Sequence, residues 1–131
     1  TSGANNTALG ANALAGNTTG SYNTAVGAYA LDANTSGTHN TALGASALGA
    51  NTTGNHSTAV GRSALATNTA DYGTAGGSYA LASKTTADLP FVVGSATCSG
   101  SRFGRGASSS FLLGAGGSVL RMRLRSRSSW R

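Results

Sequence analysis

Residues 23–37 read N-T-A-V-G-A-Y-A-L-D-A-N-T-S-G, and residues 40–54 read N-T-A-L-G-A-S-A-L-G-A-N-T-T-G. The phrase is nearly free of charge and of aromatic residues, yet its apolar positions recur too regularly for a linker. Aligned on the glycine after T-A-[LV], it gives Gly10, Gly27, Gly44 and Gly61, each 17 residues apart. A leucine column (Leu14, Leu31, Leu48, Leu65) and an asparagine column (Asn17, Asn34, Asn51, Asn68) keep the same spacing. A further copy, T-A-G-G-S-Y-A-L at 74–81, arrives after 16 residues. The frame then persists in F-V-V-G at 91–94 and F-L-L-G at 111–114, where Phe91 and Phe111 replace the small Thr.

A period this short has no room for two helices and a turn, and Gly, Thr, Asn and Val are weak helix formers. Short strands broken at N-T-[TS]-G corners fit instead, each repeat making one coil of an all-β solenoid in which like residues stack. Coils would lie about 4.8 Å apart, the ordinary strand spacing. Read as one alternating strand, 24–31 sends Thr24, Val26, Ala28 and Ala30 one way and Ala25, Gly27, Tyr29 and Leu31 the other. The asparagine column is expected to form a ladder of side-chain amides. An interior of Ala and Gly buries little apolar area, at roughly 25 cal/mol per Å². The column Leu9, Val26, Leu43 and Val60 is therefore expected to be covered by self-association, lining the axis of an oligomer.

The chain divides at about residue 90, with a regular repeat over 1–90 and divergent coils with an Arg-rich end strand over 91–131. Only 9% of its 131 residues are charged and 20 are Gly, without the G-X-Y period of collagen. The net charge of +6 is a property of the end: seven arginines fall after residue 101, whereas residues 1–101 hold two cations against three acids. In R-M-R-L-R-S-R at 121–127, alternation puts Arg121, Arg123, Arg125 and Arg127 on one face. That face would suit phosphate, an acidic glycan or an acidic docking partner, or else be a solvated surface. Nucleic acid is not expected, since Trp130 alone could serve as a stacking platform.

No catalytic set is legible. Asp32, Asp71 and Asp88 are not paired by spacing with His39 or His56, so no enzyme and no cofactor are expected. His39 and His56 share a column with Tyr22, and read as a surface ladder beside a turn, not a metal site. The single cysteine, Cys98, permits neither an intrachain disulfide nor a cysteine metal cluster. The sequons at Asn5, Asn17, Asn34, Asn51 and Asn55 read as turn chemistry repeated once per coil. No stretch approaches the roughly 18 apolar residues of a membrane span. A start at T-S-G-A-N-N, lacking an initiator Met and signal-peptide regions, suits a mature or truncated chain.

The phrase N-T-A-[LV]-G-x-x-A-L resembles the head repeats of YadA-type trimeric autotransporter adhesins, and equally the N-T-A-V-G repeats of phage tail fibres. The resemblance covers residues 5–81 well and 91–94 and 111–114 loosely. It implies a left-handed parallel β-roll of three intertwined chains, with the aliphatic column on the three-fold axis. The implied function is a structural and adhesive segment at a bacterial surface or on a virion. Its partners would be further fibre or adhesin domains and a cell-surface glycan or protein receptor. Two other readings of the repeat stand beside it. One is an ice-binding solenoid using Thr18, Thr35, Thr52 and Thr69, whose neighbouring column aligns as Gly20, Gly37, Gly54 and Asp71. The other is a filament subunit that stacks end to end through unpaired β-edges.

Overall fold

The computed structural model describes residues 3–82, 91–94 and 111–114. Its strands are β1 (Thr7–Leu9), β2 (Thr24–Val26), β3 (Thr41–Leu43), β4 (Thr58–Val60), β5 (Thr74–Gly76), β6 (Phe91–Gly94) and β7 (Phe111–Gly114). They form one seven-stranded sheet in sequence order, every pair parallel. The fold is a parallel β-solenoid. Its register follows the repeat: Thr7 lies against Thr24, Thr24 against Thr41, and Thr41 against Thr58. After the 16-residue coil Thr58 still meets Thr74, and Phe91 takes the place opposite Thr74 and Phe111. The Phe-bearing stretches thus continue the same stack.

Each T-A-[LV] strand is ended by the glycine that follows it. Gly44 sits at φ +134, and a Cβ built there would lie 2.6 Å from the Gly61 carbonyl carbon, so coils approach too closely for a side chain. Beyond the glycine, three non-glycine residues per coil are left-handed, as at Tyr29 (φ 58), Leu31 (φ 50) and His39 (φ 57). Such a conformation costs roughly 1–2 kcal/mol per residue. Hydrogen bonds between coils offset it. Leu31 donates its N–H to Ala47 O at 3.0 Å, Tyr29 to Ala11 O at 2.8 Å and His39 to Ser21 O at 3.1 Å. The same N–H groups recur in each interior coil, some reaching the coil before and others the coil after.

These turns overturn the single alternating strand expected over 24–31. Ala30 and Leu31 are both buried, while Tyr29 is exposed. The interior is accordingly not made of Ala and Gly alone. It is a leucine column, Leu31, Leu48, Leu65 and Leu81, packed against Ala25, Ala42, Ala59 and Ala75 from the strands and against Ala30, Ala47, Ala64 and Ala80. Leu48 is fully buried between two like coils. Leu48→Ala is expected to lower stability by about 2–5 kcal/mol, read as an earlier urea midpoint with the circular dichroism of the folded state unchanged.

Asparagine supplies the polar half of the interior. Asn34 Nδ2 donates to Asn17 Oδ1 at 2.8 Å, and Asn51 Nδ2 to Asn34 Oδ1 at 3.2 Å, making the expected ladder. Each amide also donates to the corner glycine three residues on, Gly20, Gly37 or Gly54, at 3.0–3.1 Å. A second ladder escaped sequence reading. The backbone N–H of Asn23 donates to Asn6 Oδ1, that of Asn40 to Asn23 Oδ1 and that of Ser57 to Asn40 Oδ1, all within 3.0 Å. Asn23 and Asn40 then donate their side-chain amides to Gly37 O and Gly54 O at 2.8 Å. Buried amides held on both sides in this way fix the stacking register, because a slipped coil would leave them unpaired.

Candidate functional site

Two exposed features run the length of the regular coils, and both come from side chains that the period stacks. The first is the strand face. Within T-A-[LV] the Ala points in, so the Thr and the aliphatic residue both point out. Thr7, Thr24, Thr41 and Thr58 form one exposed rank. Leu9 (67% exposed), Leu43 (47%) and Val60 (42%) form the next, with Val26 half-buried among them. The structure thus brings together the four residues singled out for an oligomer axis. In the single chain they face solvent, and the leucine column inside has no need of them. Gly76 continues the rank, and Val93 resumes it with 43% exposure.

The second feature is a ladder of rings at a left-handed corner. Tyr22 stacks on His39 with centroids 4.9 Å apart, His39 on His56 at 5.0 Å, and His56 on Tyr72 at 5.2 Å. Interplanar angles of 17°, 12° and 6° leave the faces occupied by neighbours and turn the ring edges outward. The surface ladder expected for the two histidines is therefore observed, with Tyr72 as its further rung. No group of three metal-binding side chains occurs among the described residues.

Beside the rings runs a polar column in which backbone N–H groups bond to side chains of the next coil. Ala4 N donates to Ser21 Oγ at 3.0 Å, Thr38 N to Asn55 Oδ1 at 2.8 Å and Asn55 N to Asp71 Oδ1 at 2.7 Å. Asp71 therefore belongs under Asn55 and not under Gly54, which corrects its sequence alignment. The shortened coil has lost the corner glycine itself. At the same corner Thr18 and Thr35 donate their hydroxyls to Thr35 O and Thr52 O at 2.9 Å, so these hydroxyl hydrogens are committed within the stack. Of the sequons, Asn17, Asn34 and Asn51 are buried in the ladder and Asn55 is bonded to Asp71. Arg62 lies over the Tyr79 ring at 5.4 Å. The arginines Arg121, Arg123, Arg125 and Arg127 lie outside the described residues.

Fold and surface together define a class: an all-β parallel β-solenoid with a regular apolar rank on its strand face and stacked rings at one corner. Among the described residues no helix is long and apolar enough to cross a membrane. Comparisons with protein-family models, curated proteins and solved structures return no match.

Proposed function

We propose that this chain is a structural and adhesive segment of an extracellular fibre, a phage tail fibre or a bacterial surface adhesin. Three copies wind into a left-handed β-roll about the column Leu9, Val26, Leu43 and Val60. The observation that carries this reading is that column, solvent-facing and in register on a chain whose own interior is already filled by leucine. A contiguous apolar stripe on a soluble surface marks an interaction site. Cell-surface glycan or protein would be met by the outer corners, through shallow polar contacts from threonines and ring edges. The interior amide ladders hold those corners at fixed spacing. Affinity would come from repetition.

The test is binding of the labelled protein to intact bacteria, compared with a variant confined to single chains. Assembly should raise apparent affinity by ~10²–10⁴ over that variant. Equal binding by assembled and single chains would remove the avidity argument, and a wild type that is a single chain would remove the three-fold axis.

A second reading draws on the same face. Thr7, Thr24, Thr41 and Thr58 beside the aliphatic rank make a regular two-rank surface on parallel strands, which favours an ice-binding solenoid. It places the ice face on the strands and not at the Thr18 column, where the hydroxyls of Thr18 and Thr35 are committed as described above. The face cannot serve both roles at once. A single chain showing thermal hysteresis would select ice binding, and an assembled one without it the fibre.

A further inference from the structure

Among the described residues, buried side-chain oxygens go unpaired at one level, beside the coil that begins at Thr58 and is one residue short. Corners elsewhere read N-T-T-G or N-T-S-G, whereas this one reads N-T-A-D at 68–71. In a regular coil the asparagine amide donates both to the asparagine one coil back and to the glycine three residues on. Here Asn68 Nδ2 donates to Ala70 O at 2.8 Å, only two residues away. The rung from Asn68 to Asn51 is not made. Asn51 Oδ1 and Asn68 Oδ1 are left buried with no hydrogen-bond partner, and both residues are 0% exposed.

The second ladder thins at the same level. Its column runs Asn23, Asn40, Ser57 and Gly73, so two side-chain amides are missing from the coils that hold the unpaired oxygens. Ser57 Oγ receives the Gly73 N–H at 3.2 Å and reaches Ala70 O at only 3.4 Å. Donor-bearing amides have thus been lost from the level at which two acceptors lack donors. Buried acceptors left alone are costly, and native interiors satisfy them with protein or ordered water. An ion is a poor match: Asp71, the acid of this corner, already accepts at Oδ1 from Asn55, and a buried charge without a partner is strongly disfavoured. A neutral molecule with two donor hydrogens matches the two acceptors in charge and in number.

We propose that one internal water molecule is bound here, donating one hydrogen to Asn51 Oδ1, in place of the missing rung from Asn68, and the other to Asn68 Oδ1. Internal waters of this kind need two to four polar partners, and the two amide oxygens meet that requirement. The site belongs to the shortened coil and holds whichever partner covers the strand face.

Water–protein cross-relaxation in solution NMR of the full chain tests it. Long-lived water should give cross-peaks to the Hδ2 protons of Asn51 and Asn68 and none to those of Asn34, whose oxygen is occupied by Asn51. Inserting a glycine between Ala70 and Asp71 recreates the regular corner and the rung to Asn51, and should abolish the Asn51 cross-peaks while raising the thermal midpoint. Should that variant not fold, Gly73→Ala provides the second arm. Its Cβ would press within 3.1 Å of Leu65 Cδ1 and 3.4 Å of Asn68 Nδ2, crowding the Asn68 amide, and should also remove the cross-peaks. Absence of the cross-peaks from the wild type, or survival of those to Asn51 in either folded variant, overturns the proposal.

Discussion

Replacing Val26 and Leu43 together by Asp is expected to reduce the particle to a single chain while its circular dichroism stays that of the wild type. The two halves of this outcome have separate causes. In the single chain Leu43 is 47% exposed and Val26 half-buried on the strand face, so the carboxylates can remain in water and the leucine interior is untouched. At an axis between copies the same carboxylates would be desolvated without a partner, a penalty large enough to abolish association. Light scattering reads the mass and circular dichroism reads the fold. An unchanged mass would show that the column does not line an interface, and loss of the β-signal would show that it supports the single chain after all.

Gly44→Val should be severely damaging, and its damage falls on folding itself. Its φ of +134 is one that a β-branched residue cannot adopt without strain, and the added Cβ would come within 2.6 Å of the Gly61 carbonyl. No flexible side chain stands there to yield, because the obstacle is backbone. The next coil must move away, and the bond from Gly61 N to Leu43 O at 2.7 Å goes with it. A loss of about 4 kcal/mol or more is expected, in the range reserved for disrupted backbone and core. Because each coil touches only its neighbours, the damage should spread along the stack. Amide exchange should accelerate first in residues 41–66. A thermal midpoint within a few degrees of wild type would mean that the glycine column is not a close-packed seam.

Much of the architecture was legible because a period constrains many positions together. Columns of Gly, Leu and Asn at one spacing required coils, and T-A-[LV] had to be the strand since it is the β-prone part of the phrase. The ring ladder followed from Tyr22, His39 and His56 sharing a column. Asp71 was misplaced for an equally definite reason. A one-residue deletion in a small-residue corner leaves several alignments equally good, and only the bond from Asn55 N to Asp71 Oδ1 selects one.

The sequence by itself determined the parallel coil stack, the amide ladder through Asn17, Asn34 and Asn51, and the existence of an aliphatic rank on the strands. Tertiary structure decided which apolar column is the core. Period-two alternation holds only while the backbone stays extended, and here it stops at Gly27 (φ +129) and is reset by left-handed Tyr29 and Leu31. Neither Tyr nor Leu carries a local preference for that conformation. It is imposed by N–H groups that find carbonyls one coil away, and by a leucine side chain that reaches the interior only from that turn. The same cause hid the second ladder, whose asparagines bond to backbone groups that come into register only once the coils are stacked.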